Sequence, residues 1–215
     1  MRTRAIAILR STLLLAAPLA WSIPGDSLDA GGPAAAGGSA PNTAPSAQDS
    51  AAYNAALALM KQGDALQARS GIHDPGAREA YASARAKLQS LTARSPQYAE
   101  AWNSLGYTQR QLGSYDDSLA SYAKALELKP GYPEALEYRG EAFLRLDRIH
   151  DAKQAYLDLF ASNRKIAATL LESMKVWIKA QQTSHGADAS EVTDLQQWVQ
   201  ERSTIATQTA ALTRE

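Results

Sequence analysis

Three histidines and a stripe of carboxylates are the residues of this chain whose types invite chemistry. His73, His150 and His185 fall in three different predicted loops. None has a second histidine or a carboxylate at helical ligand spacing on one face, so they describe no metal site. His73-Asp74 reads as a helix cap and His150-Asp151 as a turn. The chain has no cysteine, which removes disulfides, thiolate nucleophiles, zinc–thiolate sites and a lipid-bearing cysteine. No glycine-rich loop is placed to cradle phosphate, because the glycines cluster in a tether and in turns. No carboxylate pair is expected on a buried apolar face, where desolvation would raise a pKa for acid–base work. The expectation is a chain that is not an enzyme and takes no metal or cofactor. Binding remains. Glu134, Glu137 and Glu141 share one helical face at three- and four-residue spacing, and like charges so placed repel by roughly a few tenths of a kcal/mol per pair. A basic partner segment would relieve that. The balance of 22 basic against 22 acidic side chains gives no global positive field, so nucleic acid is not an expected partner.

The helices that must carry those residues belong to an internal repeat. Placing 99–130 over 133–164 brings six identities into register at a period of 34 residues: Glu100/Glu134, Ala101/Ala135, Gly106/Gly140, Leu112/Leu146, Asp117/Asp151 and Tyr122/Tyr156. Two helices per unit at that period mark stacked hairpins, which share one core because no unit buries its own face. An irregular first hairpin, 49–96, joins in its second helix. There Tyr81, Ala84, Leu88 and Pro96 precede Tyr115, Ser118, Tyr122 and Pro130 by the same period. Its first helix, with Tyr53, Ala56, Leu57, Met60 and Ala65 on one face, does not fit the spacing. Asp74-Pro75 supplies an N-cap and a first-turn proline for the second. Beyond Arg164 the period is lost while helical patterning continues. Ala167, Leu170, Leu171, Met174, Trp177 and Ile178 make one apolar face, and Val192, Leu195, Trp198, Val199 and Ile205 another, with a turn at 183–187 between. Asp188 and Glu191 resemble a capping box. Trp177 and Trp198 read as core or cap packing.

Segment 99–130 resembles a tetratricopeptide repeat. Trp102 stands one turn into the first helix and Leu105-Gly106 follows, with Gly106 small so that the two helices of the hairpin approach closely. Gly113 and Tyr115 form the turn. Ser118 stands where alanine is usual, Tyr122 and Ala125 pack back on the first helix, and Pro130 ends the second. Gln109 stands where an aromatic is usual. The copy at 133–164 keeps Gly140, Phe143, Ala152 and Tyr156, while Arg139 replaces the apolar partner of the glycine and Arg164 the terminal proline. The resemblance implies an all-α, right-handed stack of about three hairpins over 49–164, with C-terminal cap helices over 165–215. It also implies a concave groove lined by the first helices, which takes a peptide or protein partner. Carried over, the groove residues are Glu100, Asn103, Tyr107, Arg110 and Gln111, then Glu134, Glu137, Glu141, Leu144 and Arg145. Chaperone-binding members hold a C-terminal carboxylate with Asn, Lys and Arg. The matching positions here are Ser104, Glu134 and Tyr138, so that clamp is not expected.

The N-terminus bears on location. Arg2, Arg4 and Arg10 lead into an apolar run over 13–21, and Ala20 and Ser22 present small residues at minus three and minus one of a cut after Ser22. This is the plan of a secretory signal peptide over 1–22. Its apolar run is far short of the ~20 residues of a spanning helix, so no stable membrane span is expected after cleavage. An Ala-, Gly-, Pro- and Ser-rich stretch over 23–48 reads as a flexible tether. The composite expectation is an exported bacterial-type adaptor, periplasmic or secreted, that binds a protein or peptide partner without catalysis. The alternative is a chaperone-like assembly or maturation factor for an envelope complex. A third reading, a small-ligand site among the C-terminal helices, turns on whether Trp177 and Trp198 line a cavity.

Overall fold

The computed structural model describes residues 45–184 and 188–212, which form eight α-helices. The expected signal peptide, most of the tether, His185 and Gly186 lie outside the described residues. Helices α1 (Ala47–Ser70) and α2 (Pro75–Arg94) make the first hairpin, α3 (Ala99–Gln111) and α4 (Tyr115–Leu128) the second, and α5 (Pro133–Arg145) and α6 (Ile149–Ser162) the third. The C-terminal helices continue the stack. Helix α7 (Arg164–Ser184) packs on both α5 and α6, as the first helix of a next hairpin would, and α8 (Ala189–Leu212) packs on α7.

Local chemistry sets the helix ends. Ser46 Oγ accepts from Asp49 N, so α1 starts two residues before the expected Asp49. The Asp49 carboxylate accepts from Ser95 Oγ and Ser46 Oγ and pairs with Arg94, which ties the start of α1 to the turn after α2. The hydrogen bond from Ser95, followed by that from Ser46, holds its carboxyl below the usual range. Asp74 caps α2 through Ala77 N at 2.8 Å, as expected. His150 and Asp151 lie in the first turn of α6, not in a turn before it. The connection from α6 to α7 is Asn163 alone, whose Oδ1 accepts from Ile166 N at 3.1 Å. The α3–α4 and α5–α6 turns both need a left-handed residue. Gly113 supplies it at φ 83°, and one period later Asp147 does so at φ 54°.

Glycines set how closely the helices approach. A Cβ on Gly106 would lie 2.6 Å from Tyr122 Cε1, as the expected close approach within that hairpin requires. The first hairpin makes the same contact with other residues. Gly63 sits under Tyr81, where a Cβ would lie 2.7 Å from Cε1. Tyr81 therefore does the work of Tyr122, although the 34-residue register pairs it with Tyr115. Helix α2 has 20 residues against 14 in α4, which moves the crossing about two turns towards its N-terminus. Gly140 departs as well: a Cβ there would meet Leu170 Cδ2 of α7 at 2.6 Å, not Tyr156. Tyr156 is buried all the same, stacked on Phe160 and edge-on to Trp198.

All six expected apolar residues of α7 are buried, as are Val192, Leu195 and Val199 of α8. Ile205 is exposed, because the last turns of α8 run past the packed face. The largest apolar cluster spans α5 to α8, and smaller ones join α1–α3 and α3–α5. Leu105 is buried, and the half-buried Trp102 donates from Nε1 to the Pro96 carbonyl at 2.9 Å. Gln109 is buried between α3 and α4. Its amide nitrogen donates to Ser121 Oγ at 2.6 Å, Asp117 O at 3.1 Å and Leu105 O at 3.3 Å, so a polar side chain fills the aromatic's place without an unmet donor.

Candidate functional site

The odd-numbered helices α1, α3, α5 and α7 build a face with two open recesses. The larger, about 590 Å³, lies among Arg110 of α3, Glu141, Leu144 and Arg145 of α5, and Ser173, Val176 and Trp177 of α7. The smaller, about 250 Å³, lies among Leu57, Met60 and Asp64 of α1, Asn103, Ser104 and Tyr107 of α3, and Glu134 and Tyr138 of α5. Of the residues expected in the groove, Arg110, Glu141, Leu144 and Arg145 line the first recess, Asn103, Tyr107 and Glu134 the second, and Gln111 neither. Glu100 lines neither and pairs with Lys129 at 3.1 Å. Glu137, 9% exposed, lies on the same helix between Glu134 and Glu141.

A chain of polar contacts joins the hairpins along this face. The Asp64 carboxylate accepts from Tyr81 OH at 2.7 Å and Tyr107 OH at 2.6 Å, bridging α1, α2 and α3. Burial, with the hydrogen bond to Asp64, pushes both phenols above their usual range, so both remain donors. Tyr107 meets Tyr138 edge-on, and the Arg110 guanidinium lies 5.3 Å and 5.5 Å from their ring centres. Arg110 pairs with Glu141 at 2.8 Å, and Glu141 also accepts from Ser173 Oγ of α7 at 2.6 Å. Burial opposes the Arg110 charge, and the Glu141 carboxylate together with Tyr122 and Tyr107 outweighs it, so the guanidinium is held above its usual range.

This arrangement corrects two expectations. The stripe Glu134–Glu137–Glu141 does not present three equal charges, because Arg110 already neutralises Glu141. A carboxylate does sit on a desolvated face. Burial, then the like charge of Glu141, pushes the Glu137 carboxyl up to about 7, against the pull of Arg110. Neither pairing was legible from the 34-residue register, which places residues on a helix face but not opposite one another.

No side chain of α1 or α7 was expected in the groove, because these helices lie outside the periodic segment. Leu57 and Met60 were read on the apolar face of the first helix and Trp177 as a candidate cavity residue, whereas Asp64, Ser173 and Val176 were missed altogether. Trp177 is buried at the edge of the larger recess, whereas Trp198 packs on Tyr156, with Lys153 and Arg202 over its ring. His73 and His150 are both exposed and lie on neither recess. Among the described residues, no cluster of His, Asp and Glu is placed to hold a metal, and no helix is long and apolar enough to cross a membrane.

The sequence profile of the tetratricopeptide repeat matches residues 76–133, which is α2, α3, α4 and the turn before α5. Over those residues the chain matches the tetratricopeptide-repeat family. Repeats of this family are non-catalytic scaffolds for protein–protein contacts, and α3–α4 is the unit in which Trp102, Gly106, Tyr122 and Pro130 hold their expected places. A solved structure similar to the chain is the Sgt2 TPR domain from Aspergillus fumigatus, 15% identical, with a TM-score of 0.42, over 78% of this chain and 86% of that one. A search of the curated proteins found no match.

Proposed function

We propose that this chain is an exported tetratricopeptide-repeat adaptor whose groove, formed by α1, α3, α5 and α7, holds a segment of a protein partner. One observation carries the reading: the larger recess is open, and Val176 stands in its wall 70% exposed, an apolar side chain beside the Arg110–Glu141 pair. An apolar anchor of the partner covers Val176, while Glu134 and Asp147 favour a basic portion beside it. Export rests on the ordered basic, apolar and small-residue segments of 1–22, and N-terminal sequencing of the mature protein should find Ile23 or a close neighbour.

The groove is tested by selecting displayed random dodecapeptides against the immobilised full chain. Val176→Arg should abolish binding of the selected pool, and Leu157→Arg, at an exposed leucine of α6, should leave it intact. Equal binding by the two variants would refute the groove. A second reading, a small apolar ligand, is favoured by Trp177 at the recess edge. In that case a quench of tryptophan fluorescence by hydrophobic small molecules, lost in Val176→Arg, should appear with no selected peptide.

A further inference from the structure

The smaller recess has a chemistry of its own. Its walls hold two acceptors without an ion pair or hydrogen-bond partner among the described residues, Glu134 and Asn103 Oδ1, while Ser104 is engaged with Tyr53. Glu134 makes no ion pair among the described residues, whereas Glu100, Glu141 and Glu172 are paired with Lys129, Arg110 and Lys175. Asn103 is 6% exposed and lines the recess, and its Oδ1 has no hydrogen-bond partner. A buried acceptor left unmet forfeits its solvation, so a donor that reaches it is favoured. Asp64 accepts from two tyrosines already, and Lys61, the one cation of the lining, is exposed. The rest of the wall is apolar or aromatic: Leu57, Met60, Tyr107 and Tyr138.

We propose that this recess is a subsite for one lysine or arginine side chain of the partner segment, its aliphatic stem against Leu57, Met60 and the two tyrosine rings, its cationic head between the Glu134 carboxylate and Asn103 Oδ1. The proposal rests on the reading of this face as partner-binding. An anionic side chain is repelled by Glu134. A neutral apolar one leaves two acceptors desolvated and unmet. A cation on a long stem satisfies both, because charge-assisted hydrogen bonds are the stronger kind and the stem keeps its apolar contacts. The recess holds about 250 Å³, room for one such side chain and less than drug-sized ligands occupy.

The test uses the full chain and the same dodecapeptide selection, run on wild type, Glu134→Gln and Asn103→Leu, with Asp158→Asn on exposed α6 as the control. Melting temperatures establish that each variant is folded. The wild-type and control pools should carry lysine or arginine at one fixed distance from their apolar anchor, and the two recess variants should lose that preference. The best wild-type peptide and its norleucine analogue should differ roughly tenfold in Kd on wild type, and less than about twofold on Glu134→Gln. A wild-type pool without the basic preference, or one retained by Glu134→Gln, overturns the subsite. If Val176→Arg still abolishes binding in that case, the groove stands without it. A selection that yields no peptide sensitive to Val176→Arg overturns both.

Discussion

Glu137 holds its proton near neutrality because its helix buries it next to Glu141 while Arg110 is committed elsewhere. A raised carboxylate pKa means that the folded state binds more protons than the unfolded one between about pH 4.5 and 7. Stability therefore falls as pH rises through that window and levels off above it. Glu137→Gln removes the charge and the slope. It should be more stable than wild type at pH 8 by on the order of 1 kcal/mol, once solvent screening is allowed for, and equal to it near pH 4.5. Denaturant unfolding at a series of pH values checks this; a parallel pair of curves would show that the carboxyl titrates normally. Asp147 is a second exception to local preference, a non-glycine residue at φ 54° in the turn where its counterpart is Gly113. Asp147→Gly should gain about 0.5–1 kcal/mol by removing that strain, and Gly113→Ala should lose a similar amount, both read from unfolding midpoints. The turn positions were legible because Gly113 and Asp147 are one period apart. The titration of Glu137 was not, because it depends on which neighbour Arg110 chooses across a helix interface.

At the scale of helices, two glycines at equivalent positions do different work. Gly106 closes its own hairpin on Tyr122, whereas Gly140 admits Leu170 of the following one. Gly106→Ala pushes a methyl into a buried ring and should cost about 1–3 kcal/mol, with hydrogen exchange rising in α3 and α4. Gly140→Ala meets the end of a leucine side chain, so its cost should be smaller and its exchange signature should appear in α7. If α5 and α6 alone were affected, the Leu170 contact would be misplaced. The 34-residue register made the Gly106–Tyr122 crossing legible, because both partners lie inside the repeating segment. It failed for Gly63–Tyr81, where α2 is longer, and for Gly140–Leu170, where the partner lies beyond the last copy. The candidate site divides the same way. Asn103, Tyr107, Arg110, Glu134 and Glu141 were carried over from the family resemblance, while Asp64, Ser173 and Val176 lie on helices that the resemblance does not cover.

Over the whole stack, apolar burial is uneven, with the largest cluster in α5–α8 and the smaller ones towards α1. In a stack each unit is held mainly by its neighbours, so opening should begin where the core is thinnest. Native-state hydrogen exchange should show the lowest opening free energy in α1 and α2 and the highest in α6 and α7; uniform protection from end to end would contradict this. A chain assembled from similar hairpins also runs a risk of assembly error, since one helix can be offered the wrong neighbour. Gln109 answers that risk. On α4 it finds Ser121, but one period on the matching residue of α6 is Ala155, and on α2 the residue before Tyr81, as Ser121 stands before Tyr122, is Ala80. Against an alanine the amide would keep the Leu105 carbonyl of its own helix but lose the Ser121 hydroxyl, a hydrogen bond worth about 0.5–1.5 kcal/mol. The polar plug works as an address: it lets α3 recognise α4 among look-alikes, inside the hairpin that is the most complete copy of the repeat.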